Sequence, residues 1–473
     1  MKKRFIDILC RFLTPSCGGV WGGRFFRSFL IPSFRGACEG RILLWFLIPF
    51  FGGVWGGCST QKQIAKQAKV NFFSNTDFAL AHVGIAVFDP SVNKFLYSYQ
   101  GEKYFVPASN TKLFSLYAGL KYLGDSLVAA RYKIEDDLLI LQATGDPTFL
   151  HPDFKGQPLL KFLQQERFEK ISINTAFASR PLGSGWAWSD YTAPYMAERD
   201  PFPMYGNVLT VIFNGDSLQT VPPILKPVVI GMPEKDQPWD ITRNLGGHFF
   251  TVENGNGTTV KEKTVTMAME RGTFAARYLA DTLHKEVTVE VQPLSKNESM
   301  AIHSQPVDSF YKMMMHRSDN FFAEQTLLMA SNEKLGVMSD IKMIDTMLKS
   351  DLQDLPQKPK WVDGSGLSRY NLVSPKDFVS LLNKLQNEFG LQRIKVILPG
   401  ADEGTLAGLY KGYDQHIYAK TGTLSNNVAL SGYLITRHNK TLLFSVLVNN
   451  HQTSATAIRK QIEKFLTSII DKY

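Results

Sequence analysis

Beyond residue 58 this 473-residue chain has no cysteine; all four (Cys10, Cys17, Cys38, Cys58) sit at its amino-terminal end. The remaining 415 residues therefore carry no disulfide, no thiolate metal site and no cysteine nucleophile. The nine histidines are scattered, without H-x-x-x-H or H-E-x-x-H spacing, so a zinc hydrolase lacks its ligands and no metal or other cofactor is expected. His316, two residues before Ser318, reads as packing or solvent-facing. Net charge is also scarce where it would matter. The formal +9 is concentrated early: residues 1–57 hold eight Lys/Arg and two acids, leaving 44 against 41 beyond them. A +3 spread over that length gives no reason to expect nucleic acid. Repeats and low-complexity tracts are missing from the same region. What is present, 44% hydrophobic and 12% aromatic residues with 20% charged, belongs to a folded chain long enough for more than one domain.

The amino-terminal segment reads as a targeting signal rather than fold. Arg41 precedes the apolar run 42–51, which ends in Gly52-Gly53-Val54-Trp55-Gly56-Gly57-Cys58. A positive flank, an apolar core and small residues at the end are the secretory pattern. The Cys after two glycines resembles a bacterial lipoprotein signal, with Cys58 as the lipidated first residue; Trp55 departs from that pattern. A plain cleaved signal and an uncleaved anchor are the alternatives. Residues 17–23 nearly duplicate 51–57, so translation could begin nearer residue 41. Residues 1–57 are set aside as signal, and the polar stretch 58–75 reads as a tether.

A strand over 83–88, a turn over 89–93 and a returning strand over 94–99 follow. Pro107-Ala108 introduces a helix from about Ser109, with Leu113, Leu116, Tyr117 and Leu120 on its apolar face until Gly124. Short β-like runs among Gly/Pro-rich loops fill 131–296, read as an inserted accessory region. Helical spacing returns at 307–315 and 321–330. Two apolar runs, 430–435 and 442–448, form a hairpin buried on both faces before a last amphipathic helix.

Three short motifs occur in order: Ser109-Asn110-Thr111-Lys112, Ser318-Asp319-Asn320 and Lys420-Thr421-Gly422. Six S-x-x-K and five S-x-N matches exist, but only one K-[ST]-G. Of the six serines only Ser109 follows a β-hairpin, opens a strongly apolar helix and precedes both other motifs. Together the three suit acyl transfer. A serine hydroxyl needs a neighbouring base, and Lys112 lies one helical turn away. Burial and a nearby cation such as Lys420 would lower the Lys112 pKa. Ser318 can relay a proton to the leaving amine and Asn320 can bind the substrate amide. Lys420 and Thr421 suit a substrate carboxylate. The N–H groups of Ser109 and Thr423, beside Gly422, would form the oxyanion hole. This three-motif set is a signature of β-lactamases and penicillin-binding proteins.

The chain further resembles the DacB-type D-alanyl-D-alanine carboxypeptidase/endopeptidases, the class C low-molecular-mass penicillin-binding proteins. The likeness is carried by Gly145-Asp146-Pro147-Thr148, by residues 185–191 (GWAWSDY) and by residues 363–375 (DGSGLSRYNLVSP). Some 205 residues separate Lys112 from Ser318, a gap this family fills with inserted domains. The resemblance implies an α/β (α+β) serine DD-peptidase fold of the β-lactamase-like transpeptidase type. An antiparallel sheet flanked by helices would meet an all-helical part, with 76–130 and 297–473 forming the peptidase domain. It also implies peptidoglycan peptides as substrate and β-lactams as inhibitors; the amino-terminal signal, for its part, points to a periplasmic protein held to a membrane by its lipid. Asp190 and Arg369 would grip the zwitterionic end of the peptide side chain. A β-lactamase or esterase on the same fold, and a non-catalytic wall-binding or β-lactam-sensing lipoprotein, are the competing functions.

Overall fold

The computed structural model describes residues 56–473, apart from 215–216, 224, 235–238, 246 and 256–261. The signal reading over 1–55 and the Cys58 side chain lie outside the described residues.

Five antiparallel strands form the sheet that carries the rest, in the order Ile417–Leu424, Asn427–Ile435, Thr441–Asn449, His82–Asp89, Lys94–Tyr99. The hairpin strands are apolar on both faces because both faces are covered. One face carries Val428, Leu430, Leu434, Phe444, Val446 and Val448 against Ile458, Ile462, Phe465, Leu466 and Ile469 of the last helix, Ala455–Lys472. The alternate residues Ala429, Tyr433, Leu443 and Leu447 face Phe378 and Leu382 of the helix Pro375–Phe389, with Phe114 and Leu116 of the helix Lys112–Tyr122 in the same cluster. Burying a side chain of this size contributes about 1.5–3 kcal/mol, which is why the period-2 alternation fixes the register.

The segment read as a tether is helical over Gly56–Ala68. Ile64, Ala68 and Phe72, four residues apart, bury against the last helix, and the Phe72 ring meets Phe465 at 5.3 Å. Three apolar residues among many polar ones form a stripe visible only once the docking face exists.

The helical part comprises Lys112–Tyr122, Val307–Arg317, Asn320–Leu335, Asp340–Lys349, Pro375–Phe389 and Leu391–Ile397. Between two of these helices the backbone reverses at Ser318, which is left-handed (φ 59°) and ends the first. Asp319 then caps the second, its Oδ1 accepting from the Phe322 N–H at 2.9 Å. Ser109 sits on a single 3₁₀ turn, Ala108–Thr111, leading directly into the helix Lys112–Tyr122.

Two further kinds of sheet occupy the intervening chain. A mixed five-stranded sheet runs Glu286–Glu290, Lys170–Asn174, Leu138–Ala143, Ser126–Glu135, Met300–Pro306. Ser126–Glu135 and Met300–Pro306, from the two ends of the segment, pair antiparallel, so the sheet begins and ends a few residues outside 131–296. Among the described residues two three-stranded sheets follow, one from Val208–Asn214, Ser217–Val221 and Glu262–Thr266, the other from Val228–Glu234, Asp240–Arg243 and Phe250–Gly255. Leu139, Leu141, Ile171, Ile173, Leu209, Val211 and Phe250 give this region a hydrophobic cluster of its own.

Candidate active site

The nucleophile turn is clamped from two sides. On one, Asn110 Nδ2 donates to Ser431 Oγ (2.7 Å), which itself reaches Ser445 Oγ (2.8 Å), tying the turn to the sheet. Here the edge strand Ile417–Leu424 passes so close that a Cβ on Gly422 would lie 2.7 Å from Pro107 O and 3.1 Å from the Ser109 N. On the other side comes the loop 363–371. Gly366 is left-handed (φ 81°), and a Cβ there would fall 1.9 Å from Ala108 O. Asp363 organises that loop, accepting from the N–H groups of Gly366 (2.9 Å) and Ser368 (2.7 Å), from Asn371 Nδ2 (2.7 Å) and from Trp186 Nε1 (2.9 Å).

Between these clamps lies the Lys112 ammonium, fully buried. It donates to Ser109 Oγ at 2.9 Å, to Asn320 Oδ1 at 2.6 Å and to Ser365 O at 2.7 Å. Desolvation pushes its pKa down to about 8, while the carboxylates of Asp319, Asp363 and Glu324 pull the other way. Lys420 is also fully buried, donating to Ser318 Oγ (2.8 Å) and to Thr421 O (2.8 Å). Its pKa is held well below the ordinary lysine value by burial, then by Lys112 and Arg459. The three motifs thus converge, each lysine hydrogen-bonded to a serine.

In front of them opens a cleft of about 540 Å³, lined by Ser109, Asp190, Tyr195, Asn320, Arg369 and Thr423 among others. Asp190 and Arg369 therefore share the cleft with the serine. Arg369 Nη2 donates to Ser425 O (3.0 Å), and Ser189 Oγ donates to Asp190 Oδ1 (3.1 Å). Thr421 is buried behind this surface, whereas Thr423 is exposed in it.

Sequence reasoning did not single out the charges behind the site. Glu324 Oε1 accepts from the Ser365 N–H (2.7 Å), on the loop whose carbonyl holds Lys112. Its Oε2 meets Arg199 Nη1 (3.3 Å), and the same nitrogen reaches Asp340 Oδ2 (2.5 Å). Burial and the neighbouring Asp363 raise the Glu324 pKa to about 7, opposed by Arg199. The legible signal was a Glu four residues after Asn320, directly behind the apolar run Phe321-Phe322-Ala323. Arg199 and Tyr195 come from the intervening chain and gave no signal; the Tyr195 carbonyl accepts from Asn320 Nδ2 (2.9 Å). Among the described residues no group of His, Cys, Asp or Glu could hold a metal.

Comparison with known proteins converges on one family. The profile of the D-Ala-D-Ala carboxypeptidase 3 (S13) family matches residues 71–469. D-alanyl-D-alanine carboxypeptidase DacB of Haemophilus influenzae is 24% identical over 418 residues, covering 79% of this chain and 86% of its own. A D-alanyl-D-alanine carboxypeptidase of an Actinomadura species is 26% identical over 439 residues, covering 79% and 78%. The crystal structure of penicillin binding protein 4 (dacB) from Haemophilus influenzae superposes with a TM-score of 0.70 at 22% identity, over 87% of this chain and 99% of that one. The fold is therefore that of the serine DD-peptidases, as the resemblance implied.

The buried Arg199 cluster yields a stability prediction. Removing one partner of a buried ion cluster leaves uncompensated charge and costs about 3–5 kcal/mol. Arg199→Met should lose that much in chemical denaturation, and adding Glu324→Gln and Asp340→Asn should recover most of it. A loss below about 1 kcal/mol for Arg199→Met alone would show that the cluster does not hold the two regions together.

Proposed function

The chain belongs to the D-Ala-D-Ala carboxypeptidase 3 (S13) family, and on that premise we propose how its own residues carry the reaction. It is a serine-type D-alanyl-D-alanine carboxypeptidase/endopeptidase, a hydrolase acting on peptidoglycan peptides through an acyl-enzyme and inhibited by β-lactams. In this reading Ser109 is the nucleophile and Lys112 its base. The supporting observation is the Lys112 Nζ to Ser109 Oγ bond of 2.9 Å, made by a buried amine with a pKa near 8.

Neutral Lys112 takes the hydroxyl proton as Ser109 Oγ attacks the carbonyl of the penultimate D-alanine. The N–H groups of Ser109 and Thr423 receive the resulting oxyanion; the absence of a Cβ at Gly422 lets the strand that carries Thr423 lie against the Ser109 turn. Ser318 Oγ, held by Lys420 Nζ, relays the proton that Lys112 took on to the amine as the C–N bond breaks and the terminal D-alanine leaves, so that Lys112 is neutral again. Water then enters, Lys112 again accepts the proton, and hydrolysis of the ester returns Ser109. Asn320 is oriented on both sides, by Lys112 and the Tyr195 carbonyl, and its side chain borders the cleft where the substrate amide would lie. Asp190, half-buried, and Arg369, exposed, line the same cleft and form the pocket for the peptide's zwitterionic end.

Residues 131–296 are read as an accessory insertion restricting access to the cleft, which Asp190 and Tyr195 border from that region. Cys58 is read as the lipidated first residue of a periplasmic protein; the support is the sequence signal alone. No described helix is long and apolar enough to cross a membrane.

Ser109→Ala should abolish peptide turnover and covalent benzylpenicillin labelling while the protein stays folded; an adduct on another serine would refute the assignment. Lys112→Arg, which stays protonated, should slow acylation by ~10²–10⁴-fold. Because the base is the neutral amine, the wild-type acylation rate should rise with pH and level off above about 8, falling roughly tenfold per unit below it. A flat profile from pH 6 to 9 would remove Lys112 from the role.

Asp190→Asn and Arg369→Ala should each lower kcat/KM on a diaminopimelate-containing peptide by roughly 10–150-fold. Both variants should acylate with benzylpenicillin at the wild-type rate, since that ligand lacks the side chain. Equal losses on both would place the pocket elsewhere. Finally, metabolic fatty-acid labelling should mark the mature protein and vanish in Cys58→Ser; label that survives would overturn the anchor.

A further inference from the structure

The helix Gly56–Ala68 and the turn Lys69–Phe73 that continues it have two unlike faces. Ile64, Ala68 and Phe72 are buried against the last helix, and Gln61 Nε2 donates to Phe95 O of the strand Lys94–Tyr99 at 3.3 Å. These contacts fix which way the helix is turned. Away from them stand Lys62, Lys66, Lys69, Val70 and Phe73, all exposed. The Phe73 ring lies 4.3 Å from that of Tyr99, so the apolar part of this surface ends in a pair of aromatics.

A solvated helix face ordinarily mixes charges of both signs. Here the charge is of one sign: residues 56–76 contain no Asp or Glu, and the lysine ion pairs among the described residues use other lysines. Ammonium groups beside exposed apolar and aromatic side chains suit the boundary of an anionic bilayer, where the cations meet lipid phosphates and the apolar groups enter between headgroups. Position gives a second argument. Cys58 belongs to the same helix, four residues before Lys62, and a helical turn rises only about 5.4 Å. A lipid on Cys58 would therefore enter the bilayer beside these lysines, with no free tether to hold the fold away from it.

We propose that this face is a docking surface for anionic phospholipid, so that the enzyme lies on the membrane along the helix Gly56–Ala68 instead of hanging from its lipid. The orientation rests on the Cys58 anchor; the binding itself does not.

The test uses the mature chain, residues 58–473, with Cys58→Ser, so that no acyl chain contributes. It should sediment with vesicles of phosphatidylglycerol mixed with phosphatidylcholine, not with phosphatidylcholine alone, and should be released as salt rises. Lys62→Gln, Lys66→Gln and Lys69→Gln together should lower partitioning roughly 100-fold, at about fivefold per lysine. Val70→Ser with Phe73→Ser should lower it roughly tenfold and leave the salt dependence unchanged. Lys155→Gln, Lys342→Gln and Lys411→Gln, at exposed lysines elsewhere, should stay within about twofold of the parent, because charges far from the bilayer are screened. All variants should keep the parent's rate of acylation by benzylpenicillin, which shows them folded. A parent that ignores the anionic vesicles, or equal losses from the two lysine triples, would overturn the proposal. Failure of the anchor shows separately, as wild type carrying no fatty-acid label while its lipid-free form still binds the vesicles.

Discussion

A lysine ammonium with no exposed surface is the constraint around which this molecule is arranged. Lys112 needs an acceptor for each proton while it is charged, and it finds them on three separate pieces of chain. Ser109 comes from its own turn, Asn320 from the start of another helix and Ser365 O from a loop. Each acceptor needs its own support: Ser431 for the turn, the Ser318–Asp319 reversal for Asn320, Asp363 and Glu324 for the loop. Losing any support would leave a buried donor unsatisfied, at a cost of about 1–3 kcal/mol or more for a charged group. The charge also needs balance, and three carboxylates surround it at different depths. That balance sets its pKa: desolvation alone would depress it further, and the acids hold it near 8.

The same acids explain why the intervening chain is more than an attachment. Glu324 and Asp340 are buried together, and the intervening chain supplies the cation that meets both, Arg199. Trp186 contributes the other link, donating to Asp363 while its ring lies 5.6 Å from the Arg199 guanidinium. The stretch 185–191 that marked the resemblance is therefore also part of the strapping behind Lys112. Buried charges and a donor to the loop 363–371 thus couple the intervening chain to the site it borders.

Much of this was legible before any coordinates. The hairpin strands, the two-sided burial of the sheet and the last helix follow from period-2 and period-3.6 patterns carried by large residues. The order of Ser109, Ser318 and Lys420 along the chain, each in a suitable local setting, was enough to bring the three motifs to one place. What escaped detection had weak local signal. The helix Gly56–Ala68 buries only a narrow stripe and looked like a polar tether. Arg199, Tyr195 and Arg459 lie in stretches with no motif, and their partners are far away in sequence. Lys420 was legible as a residue, but not in its burial. A spacing argument places a lysine at the site and cannot tell whether its ammonium faces the substrate or a serine behind it.

That distinction suggests a division of labour among the cations of the site. Lys112 and Lys420 are buried, with pKa values brought down towards the range where an amine can gain and lose a proton. Their compact ammonium groups each hold a serine hydroxyl, as proton transfer requires. Arg369 and Arg459 sit further out, bonded to Ser425 O and Thr423 Oγ1 on the chain that forms the cleft edge. Neither guanidinium can give up its charge, so neither could serve as a base, and both suit the fixed negative charges of a peptide. Exchanging the two kinds of residue would fail in both directions. An arginine inside could not accept the proton from Ser109, and a lysine at the rim would offer a strongly hydrated point charge where a planar, permanently charged fork is needed. Burial and side-chain type thus act together: in the proposed reading, the depth of each cation below the cleft suits it either to moving protons or to holding an anion.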